Sequence, residues 1–189
     1  MRKIGIYGGT FDPVHQAHLI LARDALEQLG LEQVIFVPAA ASPHKPAGNE
    51  ASAEARLAML QVALADEPRF QIEEIELQRP APSYTIETVV EMQRRYPEAQ
   101  LFCLIGQDNV AALHTWRRFD ELRELVRFVV LDRVGTAVDH AYLKVRRYIQ
   151  ISATEVRRRV AHNLPITYFV PPAVEQFIRE RGLYREPEQ

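Results

Sequence analysis

The stretch Ile4-Gly5-Ile6-Tyr7-Gly8-Gly9-Thr10-Phe11-Asp12-Pro13-Val14-His15-Gln16-Ala17-His18 decides the fold. An apolar run stops at paired glycines, the chain turns at Asp12-Pro13, and an apolar-periodic helix opens near residue 16. A strand feeding a helix through so short a turn presents bare backbone N–H groups at its carboxyl end, where open α/β sheets bind phosphates. His15 and His18 stand at the mouth of that helix on one face of its first turn, and each ring can donate an N–H to a phosphate oxygen. Taken alone, the stretch also fits a tight turn carrying two surface histidines. A zinc pair fits poorly, because His-x-x-His lacks the i, i+4 spacing of helical zinc ligands and the single cysteine, Cys103, offers no partner.

Outward from this turn, short apolar runs alternate with helical patterns. Periodicity predicts strands near 2–7, 33–38, 69–77, 100–105, 126–131 and 148–151, and helices near 16–29, 52–65, 85–95, 107–113, 154–162 and 171–181. Such alternation implies a parallel sheet with right-handed crossovers, a Rossmann-like, doubly wound α/β/α fold. One domain over 1–189 is expected, with a small C-terminal helical segment over about 152–189. The loops at 38–49, 79–83 and 133–140 follow strands and are rich in Pro, Ala, Gly or polar residues, as substrate loops of open sheets are.

Composition bounds the function. A chain of 189 residues, 47% hydrophobic and 25% charged with net charge −2, is an ordinary soluble protein, and its bulk charge gives no argument for nucleic acid or membrane. Glycines interrupt the first apolar run too early for a signal segment, and no stretch approaches the roughly 18 apolar residues of a membrane span. A cytoplasmic location is the expectation. Cys103, inside Leu101-Phe102-Cys103-Leu104-Ile105, reads as a small core residue.

A second chemical element is Ile151-Ser152-Ala153-Thr154-Glu155-Val156-Arg157. Ser152 and Thr154 precede a helical pattern, and simple N-capping explains both hydroxyls. It does not explain Arg157, one turn into the helix, where a guanidinium can reach back over an anion held at the helix N-terminus. Arg158 and Arg159 point elsewhere round the helix and read as a solvated face.

The first element resembles the GGxFDPxHxGH signature of the HxGH nucleotidyltransferases, with Ala17 in place of the usual glycine, and the second is similar to their S-S/T-T-x-x-R motif, with Ala153 in place of a hydroxyl residue. The loop Val37 to Pro46 resembles VPxxxPPHK with Ser42 for a proline, and Arg56 with Met59 resembles the RxxM helix that follows. Pro82-Ser83-Tyr84-Thr85, Ile105-Gly106-Gln107-Asp108, His114-Thr115-Trp116, and a tail of Tyr168-Phe169-Val170-Pro171 and Gly182-Leu183-Tyr184 extend the likeness, with Val134 for the proline usual after Arg133. Together these span nearly the whole chain and resemble the bacterial nicotinate mononucleotide adenylyltransferases.

That resemblance implies adenylyl transfer from ATP to nicotinate mononucleotide, giving nicotinate adenine dinucleotide and pyrophosphate. It implies that Gly8, Gly9, Thr10, Phe11, His15, His18, Gly106, Asp108, Ser152, Thr154 and Arg157 meet ATP, and that His15, His18, Lys45 and Arg157 act in catalysis. The acceptor would meet Thr10, His44, Lys45, Tyr84, Thr85, Trp116, Arg117 and Arg133. Each has a plainer reading as well: Trp116 and Tyr84 as core or rim aromatics, Asp108 as a cap, His44 and Lys45 as solvent-facing charge. Magnesium is expected to arrive with ATP, since no carboxylate cage is evident in the sequence. The alternatives are the same chemistry on nicotinamide mononucleotide, phosphopantetheine or another phosphate ester, and a non-catalytic nucleotide sensor.

Overall fold

The computed structural model describes residues 1–40, 51–80, 82–133 and 141–185. Within them a sheet is built from β1 (Lys3–Gly9), β2 (Gln33–Pro38), β3 (Phe70–Ile72), β4 (Gln100–Gly106), β5 (Val126–Asp132) and β6 (Leu143–Arg146), in the order β3-β2-β1-β4-β5-β6. Every pairing is parallel. The order reverses between β1 and β4, so a crevice opens past the carboxyl ends of those two strands. Gly8, Gly9 and Gly106 end the strands that flank it.

The helices are α1 (Gln16–Gln28), α2 (Ala53–Leu64), α3 (Thr85–Arg95), α4 (Phe119–Leu125), α5 (Ala153–Ala161) and α6 (Pro172–Arg181). Alternate residues of the central strands feed two cores. On one side Tyr7, Phe36, Phe102, Leu104 and Val129 meet α1 through Leu21, Ala22 and Ala25, α2 through Met59 and Leu60, and α6 through Val174 and Ile178. On the other, Ile4, Ile6, Ile35, Cys103 and Ile105 meet α3 through Ile86, Val89 and Met92, and α4 through Leu122. Cys103 is the small core residue the sequence implied, and burial pushes its thiol up to about 12.

Four elements depart from the sequence reading. The predicted strand 69–77 is paired only over Phe70–Ile72, and a turn closed by Leu77 N–H to Glu74 C=O (2.9 Å) follows. The predicted helix 107–113 is instead two 3₁₀ turns, Gln107–Asn109 and Leu113–Thr115, and α4 lies where no helix was predicted, entered through Arg118 at φ 54°. The last strand is Leu143–Arg146 rather than 148–151. Its edge position leaves only Val145 buried, so the apolar signal sits downstream in Tyr148, Ile149 and Ile151. That downstream segment still follows the sheet, with Arg147 N–H on Asp132 C=O and Ile149 N–H on Arg133 C=O, both 3.0 Å.

No helix among the described residues is long and apolar enough to cross a membrane. Leu21 has no exposed surface at the centre of the α1 face. Leu21→Ala is expected to cost about 2–5 kcal/mol of unfolding free energy in a urea titration, with the far-UV spectrum of the folded state unchanged.

Candidate active site

The turn between β1 and α1 is built on buried residues. Phe11, at φ 49°, drops its ring into the core against Tyr7 (5.6 Å between centroids) and Phe36 (5.6 Å). His15 follows as the N-cap of α1, and its ring stacks on that of His18 at 3.7 Å with 17° between planes. The shared face inferred from sequence is therefore a stacked imidazole pair, packed edge-on by Phe11 and Tyr7 on the His18 side.

The backbone of this helix start is less bare than the sequence implied. His15 N–H donates to His18 Nδ1 (3.2 Å), and Gln16 N–H donates to Phe169 C=O (2.9 Å), a carbonyl from the loop between α5 and α6. The first of these bonds fixes a tautomer. A His18 ring that accepts at Nδ1 carries its proton on Nε2, the nitrogen remote from the backbone. The positive end of the helix dipole lies at the same place.

His15 is 1% exposed, and its Nδ1 is buried with no hydrogen-bond partner among the described residues. Burial first, and the nearby Arg133 cation second, lower its pKa from 6.5 to about 3. At neutral pH the ring is uncharged. Tyr7 beneath it is held well above the ordinary phenol range by burial, and it feels both the Arg133 cation and the Asp108 carboxylate. Arg133, at the end of β5, and Asp108, past β4, thus share the electrostatic neighbourhood of the histidine turn. A side chain at Gly106 would collide with the Asp108 carboxylate and push it aside. Nothing lies within 4 Å of a Cβ built at Gly8, so its lack of a side chain leaves open space rather than satisfying packing.

Arg157 crosses to the same turn. Its Nη1 donates to Asp12 C=O (2.6 Å) and lies 3.7 Å from Asp12 Oδ2. Ser152 takes the plainer of its two roles, capping α5 by accepting from Glu155 N–H (3.1 Å), while Thr154 is exposed in the first turn. Arg159 is not the solvated charge expected of it: it donates to Pro165 C=O (2.7 Å) and covers the Phe169 ring at 4.5 Å. Arg133 Nη1 donates to Ile151 C=O (3.2 Å), and with Ile149, Gln150, Ile151 and Ser152 it lines a cleft of about 360 Å³ beside the start of α5. A second cleft, between α1 and the end of α2, lies apart from these residues, and four of its charged side chains pair with each other, Arg23 with Glu67 and Arg147 with Asp24.

A separate group forms on the other face of the sheet. Tyr84 caps α3 without a side-chain bond and Thr85 opens the helix; Arg117 lies 4.6 Å over the Tyr84 ring and 3.5 Å from Glu87. Arg117 therefore shares its charge with a carboxylate, which weakens it as a dedicated partner for a substrate anion. Trp116 is half-buried, edge-on to Phe128 at 6.4 Å. His44, Lys45, Ser42 and Val134 lie outside the described residues.

Three residues absent from the sequence-derived site hold the turn together. Arg56 is 4% exposed and donates to Thr10 C=O (2.7 Å) and Ala40 C=O (3.1 Å), clamping the ends of β1 and β2. Asp12, 2% exposed, accepts from Ala51 N–H (3.0 Å) and from the Tyr184 hydroxyl (2.6 Å). The signal for Arg56 was present in its helix motif. Asp12 and Tyr184 each lie in a motif of the sequence, but their pairing has no local signal, because the two are 172 positions apart.

Residues 6–159 match the cytidylyltransferase-like family. A probable nicotinate-nucleotide adenylyltransferase of Methylacidiphilum infernorum is 43% identical over 187 residues, covering 96% of this chain and 92% of that protein. The nicotinate-nucleotide adenylyltransferase of Bacillus subtilis is 38% identical, covering 97% of this chain and 99% of its own. The chain belongs to the nicotinate-nucleotide adenylyltransferases. The fold agrees: the Plasmodium falciparum nicotinic acid mononucleotide adenylyltransferase complexed with NaAD superposes with a TM-score of 0.80 at 18% identity, covering 97% of this chain and 98% of that one.

The family's first histidine carries a stability cost here. Because its folded pKa of about 3 lies below the ordinary 6.5, the unfolded chain takes the proton first as pH falls. The His15 contribution is intact above pH 6.5 and is lost between there and about 3, at roughly 1.4 kcal/mol per pH unit. His15→Asn should flatten the pH dependence of unfolding free energy in that window. An unchanged slope would mean that other groups govern acid unfolding.

Proposed function

We propose that this chain transfers the adenylyl group of ATP to nicotinate mononucleotide, releasing pyrophosphate and nicotinate adenine dinucleotide. The stacked His15 and His18 pair at the start of α1, with Arg157 reaching the same turn from α5, is the observation that carries the reading. Two helix starts and three nitrogen-bearing side chains converge where a triphosphate would lie, beyond the β1 and β4 ends.

A phosphate monoester is largely dianionic at pH 7, since its second pKa is about 6, so the acceptor needs no general base. One of its oxygens attacks the α-phosphorus of ATP. The new bond forms as the bond to the bridging oxygen breaks, and pyrophosphate leaves with that electron pair. The protein's task is to hold both phosphates in line and offset charge that grows on the leaving group. His18 meets this through Nε2–H, His15 as a neutral ring, and Arg157 through its guanidinium donors. Lys45 adds a cation from the loop after β2. Gly8, Gly9, Thr10 and Phe11 shape the turn; Gly106 and Asp108 face the nucleotide from β4; and the cleft between Arg133 and Ser152 borders the nucleotide site, with Thr154 at its rim.

Magnesium is read as entering with ATP. No cluster of three His, Cys, Asp or Glu suited to a metal occurs among the described residues, and the Asp12 carboxylate already has two donors on one oxygen. Phosphate oxygens and water would then be the metal's ligands, which is how Mg²⁺ commonly binds.

The acceptor's ring is assigned to the Tyr84, Thr85 and Trp116 group, with His44 beside its phosphate. A sensor would need no leaving-group contacts, and His18 tests that: His18→Ala should keep its melting temperature within a few degrees and lose about 10²–10³ in kcat for pyrophosphate release. Near-normal turnover would make His18 a turn residue only.

The acid is expected to be the preferred acceptor, because the start of α3 offers N–H groups and a positive dipole end to a pyridine carboxylate. The amide would forgo charge-assisted hydrogen bonds of about 1–3 kcal/mol, roughly 5- to 150-fold. Competing nicotinate against nicotinamide mononucleotide at limiting enzyme reads this as a ratio of specificity constants. A ratio near one would show a pocket that reads the ring without its charge.

A further inference from the structure

Tyr184 lies in the tail after α6 and is 4% exposed. Its hydroxyl donates to Asp12 Oδ1 at 2.6 Å, joining the last described segment to the turn that carries His15 and His18. Asp12 is 2% exposed and is a junction of four segments. Oδ1 also accepts from Ala51 N–H (3.0 Å) just ahead of α2, and the main-chain carbonyl accepts from Arg157 Nη1 (2.6 Å). Oδ2 is buried without a hydrogen bond, 3.7 Å from that same Nη1.

The tail does not need this hydroxyl for packing. Val174 and Ile178 of α6 are 0% and 2% exposed in the shared core, and a phenyl ring would fill the space of the phenol. What the hydroxyl adds is a fixed rotamer for Asp12. With Oδ1 held by two donors, Oδ2 is kept just outside hydrogen-bond reach of Arg157, and the guanidinium is bound through the neutral carbonyl instead. Freed from Tyr184, the carboxylate could turn toward Arg157 and tighten the existing 3.7 Å ion pair into a hydrogen-bonded one, drawing the guanidinium down into the turn. Burial, then the Asp12 charge, raise the Tyr184 pKa, so the phenol remains a donor.

We infer that Tyr184 is a positioning residue for adenylyl transfer: by holding the Asp12 carboxylate, its hydroxyl keeps Arg157 available to the triphosphate. The inference rests on the reading of Arg157 as a triphosphate ligand given above. Its signature is selectivity, since Arg157 would meet ATP while the pyridine ring is assigned to the opposite face of the sheet.

Tyr184→Phe should lower kcat/KM for ATP about 10-fold, with KM for nicotinate mononucleotide within twofold of wild type and little change in melting temperature. In an Arg157→Lys background the same substitution should change kcat/KM for ATP less than twofold, because the group it positions is gone. Equal losses in both backgrounds, a loss confined to the acceptor, or wild-type kinetics with only a lowered melting temperature would each overturn it. If Tyr184→Phe fails to fold, Asp12→Asn removes the charge that would draw the guanidinium down, so kcat/KM for ATP should be no lower than in wild type, and a loss of about 10-fold selective for ATP would count against the inference. Wild-type enzyme that releases no pyrophosphate from ATP with any acceptor would instead overturn the function proposed for the chain.

Discussion

Buried carbonyls in the turn after β1 constrain everything around it. A tight turn laid over the core must send some C=O groups inward, and an inward carbonyl without a donor costs about as much as a lost hydrogen bond. Two guanidiniums answer this: Arg56 reaches Thr10 C=O and Arg157 reaches Asp12 C=O. Arg56 can be buried because its charge is met by the two carbonyls, Thr10 and Ala40, that end two neighbouring strand loops. The clamp that satisfies the turn also ties the ends of β1 and β2 together.

The same economy governs charge at the site. A chain with net charge −2 has no general attraction for polyanions, so the positive potential must be local. Burial keeps His15 neutral, which leaves Arg133 and Arg157 as cations that need not repel a third. Stacking at 3.7 Å points the same way, because two imidazolium rings so close would repel each other.

Much of this was legible in the order of residues. The run Ile4 to His18 announces strand, turn and helix, the alternation announces a parallel sheet, and both motifs name their histidines and arginine. Short or edge elements were not legible. α4 has seven residues and begins at a left-handed Arg118, and β6 buries one side chain, so neither leaves enough periodicity to read. Arg117 was legible as a charge but not as a paired one, because Glu87 lies on a different helix.

The sequence by itself determined the fold class, the two motifs and the family, since these are written in local pattern and in residue types at fixed spacing. Only the tertiary structure decided which atoms those residues have to offer. It committed the N–H groups of His15 and Gln16 to internal acceptors, set the tautomer of His18, and made Asp12 the meeting point of Ala51, Arg157 and Tyr184. A hydrogen bond between residues 172 positions apart has no trace in local sequence, because its geometry exists only once the sheet and both helical layers have closed around it.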